Sequence, residues 1–452
     1  MTIFIPSPRL LDSPRHRRWT AWGPPDAGPA PGRPPATADV VIVGAGPAGL
    51  ATAAALWHRG IRNVVLLERS GQLCGRFFKR TDNLRQRVLR SQYEHHPGAE
   101  GYRDCELLDF ARLHWEVLTP LERREIRMAQ AGHRSVVPID VFEAFCRHVA
   151  TIHGVSGRTW RATVRELDPG PDEVRIRTDD FEMTAGFAVL CTGEVRRPAP
   201  VSWWPDASPS GRLSVSYWDE PVPPDLDRLV VIGAGLSAAH LLANALREGR
   251  HAAWIFRAAT ERYQCSDVNA AFFRAEGRAR FDGEAWQTRL ARMRAERRAS
   301  VMFEFRPLLE SAEASGQLTV HRGHAVAGFV GGLRGPAGVR LADGSVIAGN
   351  HVVLALGTSP SAGEDLLPSS LTGARDGWPD LDEATLTYRR APRVLAVGAA
   401  AGMVLGPAAR NLDGHRVAAA RAAAAVVVGL RYGVPSSASY QDEADEEMAA
   451  HE

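Results

Sequence analysis

The sequence predicts an α/β protein with two Rossmann-like dinucleotide-binding domains, the first of them split around the second. Two observations lead to this fold class. Residues 38–43 and 228–232 are apolar strands, and each is followed by a glycine-rich turn and an alanine-rich helix. The first glycines of the two turns, Gly44 and Gly233, lie 189 residues apart in the 452-residue chain. Strands that alternate with helices in this way form parallel sheets with right-handed crossovers.

The domain boundaries follow from the order of these units. We expect residues 37–200 to form the first part of the first domain, residues 201–358 the inserted domain, and residues 359–435 the second part of the first. Residues 1–36 are rich in proline and arginine, which predicts a flexible leader. Residues 436–452 carry a run of carboxylates, typical of a solvated acidic tail.

Composition narrows the possible partners and the cellular compartment. Hydrophobic residues make up 45% and charged residues 23% of the chain, and the net charge is only +2. A nucleic-acid partner is therefore not expected, since such proteins carry a basic excess. The uncharged stretch of residues 40–57 contains four Gly and Pro residues, which favours a buried strand–turn–helix over a membrane span. We expect no membrane partner, while an oligomer stays possible.

The cysteines and histidines point to a cytoplasmic protein without a disulfide framework or a metal. Five scattered cysteines and no C-x-x-C pair fit a reducing compartment and leave no dithiol for a disulfide reductase. The adjacent His95 and His96 have no third histidine at metal-ligand spacing. The sequence therefore predicts no metal site.

The first glycine-rich turn has the full pattern of a dinucleotide site. Gly44 permits the tight turn, Gly46 lets the backbone approach a pyrophosphate, and Gly49 allows helix and strand to pack closely. The helix that follows offers free N–H groups to the phosphates. Glu68 ends the next strand 19 residues later, where a carboxylate accepts hydrogen bonds from ribose hydroxyls.

The second turn repeats the pattern with one informative change. Gly233, Gly235, Ser237 and Ala238 follow the strand, and the alanine in the third glycine position is allowed. Arg257 stands 19 residues after Ala238, where the first unit has its glutamate. An arginine there suits the 2′-phosphate of NADP, although a solvated strand end is the simpler alternative.

These turns resemble those of two-dinucleotide-binding-domain flavoproteins, in particular class B flavin-dependent monooxygenases and the related N-hydroxylating monooxygenases. The resemblance covers about residues 37–430 and is carried by four segments: residues 41–50 with Glu68, residues 191–193, residues 233–238 and residues 356–357. It implies an FAD domain split around an inserted NADPH domain. It also implies an oxidoreductase in which NADPH reduces FAD and one oxygen atom of O₂ passes to a small molecule such as an amine.

The resemblance also assigns several cofactor contacts. Val164 would lie on the strand that contacts the adenine, and Gly193 would form part of the hinge between the domains. Gly357 and Gly398 end strands close to the cofactors, because glycine permits close approach of the backbone. Leu412, at the start of the last helix, would offer its N–H toward the flavin pyrimidine oxygens.

Departures from the family pattern bear on the reaction. Residues 211–218 lack the histidine of the Baeyer–Villiger signature, which disfavours oxygenation of ketones. Residues 265–273 resemble the substrate segment of N-hydroxylases with Asn269 in the matching place, although a surface loop with a capping asparagine is an equal alternative. Arg90 and His96 follow the first unit, where the fold brings side chains to the flavin. We expect these three residues to be catalytic, with a structural role for the histidine as the alternative.

Two other functions remain open at this point. The same fold serves reductases and oxidases that pass electrons on without inserting oxygen, and it could serve a flavin-binding protein without turnover.

Overall fold

The computed structural model describes residues 9–12, 29–99, 102, 105–204, 213–223, 228–265, 270–273, 275–331 and 337–434. Within these ranges, no helix combines the length and the apolar character needed to cross a membrane. The strands are β1 Thr37–Val43, β2 Val64–Glu68, β3 Val88–Leu89, β4 Val137–Pro138, β5 Thr159–Arg161, β6 Val164–Pro169, β7 Val174–Thr178, β8 Glu182–Leu190, β9 Glu194–Arg196, β10 Ser214–Tyr217, β11 Arg228–Ile232, β12 His251–Phe256, β13 Leu318–Arg322, β14 Val326–Val330, β15 Gly338–Leu341, β16 Val346–Ala348, β17 His351–Leu354, β18 Thr358–Pro360, β19 Thr387–Tyr388 and β20 Ala391–Ala396.

The helices flank these strands. In chain order they are α1 Arg9–Asp12, α2 Pro47–His58, α3 Gly75–Asn83, α4 Leu107–Leu113, α5 Pro120–Gln130, α6 Ile139–Ile152, α7 Leu236–Arg247, α8 Ala275–Ala279, α9 Trp286–Glu296, α10 Arg306–Ala314, α11 Ser369–Thr372, α12 Gly402–Leu405 and α13 Leu412–Tyr432.

The larger sheet is built from both ends of the chain. Its order is β19-β20-β8-β1-β2-β5, and β7 joins it through β8 while β6 pairs with β7. The central strand β1 is parallel to β2 and to β8, and its residues 40–43 are all buried. The last helix, α13, packs against α2 on this sheet.

The smaller parallel sheet has the order β10-β17-β11-β12-β13, so all its strands come from the stretch between residues 214 and 354. A three-stranded antiparallel sheet, β14-β15-β16, stands beside it. The α/β class with two parallel sheets is as expected from the sequence. The grouping of strands agrees with an inserted domain, although the boundaries at residues 200 and 358 stay predictions.

Two chain crossings join the sheets, and they are hydrogen-bonded to each other. β9 leaves the larger sheet, β18 returns to it, and the two pair antiparallel. Arg197 N also donates to Gly357 O at 3.1 Å, so the inserted segment begins and ends at one place.

Buried polar contacts hold the two halves together away from these crossings. Arg134 in the first half pairs with Glu304 in the insert at 2.7 Å, and both side chains are buried. A charge pair removed from water in this way fixes the relative position of its elements, because breaking it would leave an uncompensated buried charge.

The N-terminal segment differs from the expected flexible leader at one turn. Leu10 and Leu11 in α1 are each only 5% exposed, and they pack in a hydrophobic cluster with Leu84 and Val136. Their apolar side chains explain why this turn is packed although its surroundings are rich in proline and arginine.

The first glycine-rich turn is packed too tightly for a side chain at Gly49. A Cβ there would overlap Gly44 O and lie 3.5 Å from the Ile42 side chain. We expect Gly49→Ala to lower the free energy of unfolding by at least about 2 kcal/mol, because the overlap is with backbone that cannot move aside. Urea denaturation of the FAD-free protein measures the change.

A matched control is Gly157→Ala. Gly157 is exposed, and a Cβ there has no neighbour within 4 Å. This substitution should change the free energy of unfolding by less than about 0.5 kcal/mol. Equal effects of the two substitutions would contradict the packing argument.

Candidate functional site

The first glycine-rich turn has the geometry of a nucleotide cradle. Gly44 has φ +100°, and a Cβ on it would lie 2.5 Å from Cys191 O at the end of β8. By contrast, a Cβ on Gly46 would have no protein atom within 4 Å, so the space beside this glycine is open. Gly46 is also the N-cap of α2, whose first N–H groups point into that space.

Glu68 lies beside the same turn. One carboxylate oxygen accepts a hydrogen bond from Ala45 N at 2.9 Å, and the other accepts one from Ser70 N at 3.2 Å. The carboxylate is thereby held at the end of β2, next to the open space at Gly46. A ribose placed on this turn would find an oriented pair of acceptor oxygens.

Two further segments converge on the N-terminus of α2. Gly398 follows β20 with φ +89°, and a Cβ on it would lie 3.6 Å from the side chains of both Ala48 and His415. Leu412 is the first residue of α13. The N-termini of α2 and α13 therefore lie on either side of Gly398, and both present the positive end of a helix dipole.

These features fit a bound FAD. Gly44 and Gly49 are filled by neighbouring backbone, whereas Gly46 is open, as expected if a pyrophosphate occupies that space. Two helix N-termini suit an anionic ligand, and the Glu68 carboxylate suits a ribose. The FAD assignment of individual residues stays a prediction.

The second turn repeats this construction in the smaller sheet. Gly233 has φ +129°, and a Cβ on it would overlap Ala355 O at the end of β17. A Cβ on Gly235 would meet only the Ala299 side chain, at 4.0 Å. Ala238 is fully buried in α7, which explains why no larger residue stands in the third position of the turn.

The backbone hydrogen bonds of the two turns correspond one to one. Cys191 N donates to Val43 O at 2.8 Å, and Ala355 N donates to Ile232 O at 2.8 Å. In each half, this bond places a strand-end carbonyl against the first glycine of the turn.

A large cavity of about 1450 Å³ begins at the second glycine-rich turn and extends to residues 399–410, which follow the insert in the chain. Gly233 and Ala234 line one side, and Ala399, Gly402 and Ala409 line the other. Its charged lining consists of Glu194, Glu261, Asp376, Arg197, Arg257, Arg262, Arg294, Arg297, Arg298 and Arg410.

The excess of arginines gives this cavity a positively charged lining, which suits an anion. Arg257 directly follows β12, is exposed and lines the cavity, and its contact to a 2′-phosphate stays a prediction. Arg410 is already paired, with Glu194 at 3.0 Å. Ser237 is half-buried in the first turn of α7.

Several of these arginines were not recognised from the sequence. Residues 278–298 are rich in arginine with intervening glutamates on a helical pattern, which is typical of a solvated helix face, yet Arg294, Arg297 and Arg298 line the cavity. Arg289 in α9 is buried and donates to Met403 O at 3.1 Å, so α9 packs against α12, which follows the insert in the chain. The high local density of arginine was the available signal.

Arg90 lies away from the cavity lining and contacts the inserted half. Its guanidinium is buried and donates to Ser300 Oγ at 3.0 Å, to Ser300 O at 3.3 Å and to Gln264 O at 3.3 Å. These contacts connect the segment after the first unit with the residues just before Cys265.

His96 is also buried, against the first turn of α13. Gly98 N donates to His96 Nδ1 at 3.2 Å, and Arg416 lies 3.4 Å from its Nε2. Arg416 in turn pairs with Asp413 at 2.5 Å. Burial and the neighbouring Arg416 lower the pKa of His96 to about 3, so its imidazole is neutral near pH 7.

The other residues predicted for the site lie in different parts of the structure, and one of them is not described. Asn269 lies outside the described residues, so its place opposite Arg90 and His96 stays a prediction. Val164 begins β6 and is buried, close to the Glu68 end of β2, since Ala162 N donates to Glu68 O. Gly193 and Gly357, with φ +75° and +79°, directly precede the paired strands β9 and β18.

Cys191, at the first crossing, has no features of a reactive thiol. Burial raises its pKa to about 12, and its Sγ lies 3.7 Å from Thr52 Oγ1. The thiol therefore stays protonated, which leaves no thiolate for disulfide exchange at this position.

Comparison with known families identifies the first half. Residues 39–199 match FAD-dependent oxidoreductases. The predicted FAD-dependent oxidoreductase domain is confirmed over this segment, which contains the first turn and Glu68. A search of curated protein sequences finds no match to the chain.

Solved structures share the fold of nearly the whole chain. The reduced form of ornithine hydroxylase from Pseudomonas aeruginosa has 16% identity and a TM-score of 0.69, covering 87% of this chain and 100% of that one. Ornithine N-hydroxylase from Kutzneria sp. 744 has 18% identity and a TM-score of 0.66, covering 86% and 99%. Bacillithiol disulfide reductase from Bacillus cereus has 16% identity and a TM-score of 0.58, covering 86% and 98%. The predicted fold class is confirmed.

The open space at Gly46 separates folding from cofactor binding in one experiment. We expect Gly46→Val to leave the FAD-free fold intact, because a Cβ there meets no protein atom, and to reduce FAD occupancy to below about a tenth, because the side chain enters the pyrophosphate space. Flavin absorbance per protein measures the occupancy, and far-UV circular dichroism measures the fold.

Gly44→Val is the matched control, since its side chain would collide with Cys191 O. It should lose both the fold and FAD. Normal FAD content in Gly46→Val would contradict the assignment of this turn.

Proposed function

We propose that the protein is an FAD-dependent, NADPH-reduced monooxygenase that hydroxylates the nitrogen of a small amine. The observation that supports this most directly is the cavity of about 1450 Å³, which connects the second dinucleotide turn with residues 399–410 beside the first. A nicotinamide bound on one turn and a flavin bound on the other would share this space. The proposal combines two redox cofactors with room for a third, smaller molecule.

The first half would hold FAD through its backbone. Gly46 and the N-terminus of α2 would receive the pyrophosphate, Glu68 the ribose, and the N-terminus of α13 at Leu412 the pyrimidine end of the flavin. A bound flavin supplies hydride acceptance and oxygen chemistry. The chain contributes orientation, exclusion of water and helix-end dipoles where negative charge develops.

The second half would hold NADPH. Gly235 and the N-terminus of α7 would receive its pyrophosphate, and Arg257 would contact the 2′-phosphate. Arg262, Arg294 and Arg298 extend the positive lining around Arg257. This surplus of positive charge favours the phosphorylated coenzyme over NADH.

An amine substrate is favoured over a ketone by the absent Baeyer–Villiger histidine and by the Asn269 segment. The fold shared with ornithine hydroxylases agrees with this choice. A wholly apolar wall would exclude a charged amine, but this cavity has Glu194, Glu261 and Asp376 in its lining.

Arg90 and His96 are proposed to support the reaction rather than to contact the amine. Arg90 links its segment to Ser300 and Gln264, and His96 contacts Arg416 on α13. The two side chains would thereby fix the first turn of α13 and the chain beside Cys265, which both border the flavin in this assignment.

The monooxygenase proposal is tested by isotope labelling. The protein is supplied with NADPH, ¹⁸O₂ and a panel of primary amines that includes L-ornithine. A labelled hydroxylamine supports the proposal. NADPH oxidation with all oxygen recovered as hydrogen peroxide across the panel would favour the reductase or oxidase alternative, and absence of flavin reduction by NADPH would favour a binding protein without turnover.

Coenzyme choice provides a prediction for Arg257. Arg257→Ala should raise the KM for NADPH by about 10- to 100-fold, since losing a charge-assisted contact costs about 1.5–3 kcal/mol. The KM for NADH should change little, because NADH lacks the 2′-phosphate. Steady-state flavin reduction with each coenzyme measures both values.

The matched control is Arg340→Ala, which removes an exposed arginine on β15 outside the cavity lining. Its KM for NADPH should equal that of the wild type. If Arg257→Ala affected both coenzymes equally, Arg257 would have a structural role instead.

His96 provides a prediction about coupling and pH. His96→Ala should increase the fraction of NADPH that ends as hydrogen peroxide, with FAD still bound, because Arg416 near the start of α13 loses its contact to the imidazole. Since the pKa of His96 is lowered to about 3, the imidazole is neutral throughout the working range. The difference from the wild type should therefore be the same from roughly pH 6 to pH 9.

Peroxide and product are measured at each pH, with His251→Ala as the control at an exposed histidine. A difference that vanishes above about pH 6.5 would mean that His96 acts in its charged form, against the proposal. Wild-type coupling in His96→Ala would reduce the residue to a packing role.

A further inference from the structure

Three metal-ligand side chains converge at the end of the first half opposite the glycine-rich turn. His58 Nε2 and His153 Nε2 lie 2.9 Å apart, and Cys105 Sγ lies 3.6 Å from the first and 3.5 Å from the second. Cys105 and His153 are buried, and His58 is half-buried. The site is separate from the proposed FAD and NADPH residues, because α2 places about 18 Å of helix between His58 and Gly46.

We propose that His58, Cys105 and His153 bind one thiophilic divalent ion of the zinc type. Two imidazole nitrogens and a thiolate sulfur are a ligand set that zinc prefers. A water molecule would supply the fourth ligand, reached from the half-exposed side of His58. The ion would connect the C-terminal end of α2 with the end of α6 and with the start of the segment leading into α4.

The distances fit tetrahedral coordination with little movement. Zinc lies about 2.0–2.1 Å from nitrogen and about 2.3 Å from sulfur, which at tetrahedral angles separates two nitrogens by about 3.3 Å and nitrogen from sulfur by about 3.5 Å. The two sulfur–nitrogen distances, 3.6 and 3.5 Å, already match. The 2.9 Å nitrogen–nitrogen distance needs to widen by about 0.4 Å.

The orientation of His153 favours a metal ligand. Its Nδ1 lies 2.6 Å from Val149 O, which is the geometry of an N–H donating to a backbone carbonyl. This contact fixes the tautomer with the lone pair on Nε2, directed at His58 and Cys105. Metal-bound histidines are commonly held by such a second hydrogen bond.

The helix ends supply a second argument. His58 is the last residue of α2, and His153 is the C-cap of α6. The C-terminus of a helix carries partial negative charge and stabilises a cation. The Tyr102 ring stacks on His58 with 3.6 Å between ring centroids, which restricts the imidazole to this orientation.

No metal-binding motif in the sequence indicates this site, and the sequence predicted no metal. His58, Cys105 and His153 are 47 and 48 residues apart along the chain, far beyond the short spacings by which metal motifs are recognised. The packing of α2 against α6 brings the two histidines together, and Cys105 joins them from the chain segment before α4.

The proposal is tested on untagged, FAD-loaded protein that has been treated with a chelator and then titrated with Co²⁺ and Zn²⁺. We expect about one equivalent of Co²⁺ to bind with a thiolate-to-cobalt charge-transfer band, and Zn²⁺ to displace it. Cys105→Ser should remove that band and weaken Co²⁺ binding at least about 100-fold. His58→Gln, at the half-exposed ligand, should weaken binding with the fold retained.

Cys146→Ser is the matched control, because Cys146 is equally buried but outside the cluster. It should bind Co²⁺ as the wild type does. Zn²⁺ should raise the melting temperature of the wild type and of Cys146→Ser, but not of Cys105→Ser or His58→Gln. Binding below about a tenth of an equivalent by the wild type, or equal binding by the wild type and both cluster variants, would overturn the proposal.

Discussion

Both halves of the molecule depend on a glycine that faces a carbonyl oxygen. Gly44 adjoins Cys191 O and Gly233 adjoins Ala355 O, and each glycine has a positive φ that other residues rarely adopt. Because no Cβ intervenes, each parallel sheet can close its strands directly behind the turn. The turn then projects beyond the strand ends, and the following helix begins with its N–H groups directed outward. The accessible space beyond the strand ends of each sheet thus depends on a glycine, which has no side chain, at the start of the turn.

This repeated construction explains why the cavity has unequal sides. The wall at the second turn carries the arginines that follow β12 and α9, whereas the wall at residues 399–410 consists mainly of small residues such as Ala399 and Gly402. In the proposed assignment, the positive charge lies beside the phosphorylated coenzyme, and the small residues lie beside the flat ring system of the flavin. The two sides have different chemistry although their turns have the same geometry.

The local features of the fold were predictable from the sequence, and the long-range contacts were not. The two strand–turn–helix units follow from glycine spacing and apolar strands, and the structure has them at the expected residues. Leu10 and Leu11 show what composition alone does not predict. The composition indicated a flexible leader, but these two apolar side chains pack in a cluster with residues far along the chain. Arg90 was expected at the flavin because of its position after the first unit, but its contacts to Ser300 arise only from the docking of the insert. Such pairings leave no periodicity in the sequence.

The paired crossings also bear on how such a chain could have arisen. Because Arg197 and Gly357 are joined by a hydrogen bond, the insert enters and leaves the larger sheet through neighbouring strands. A whole domain can be gained at such a place in one genetic event, since the host strands on either side keep their partners. The larger sheet is then completed by β20, which follows the insert in the chain and pairs with β8, while α13 packs against α2.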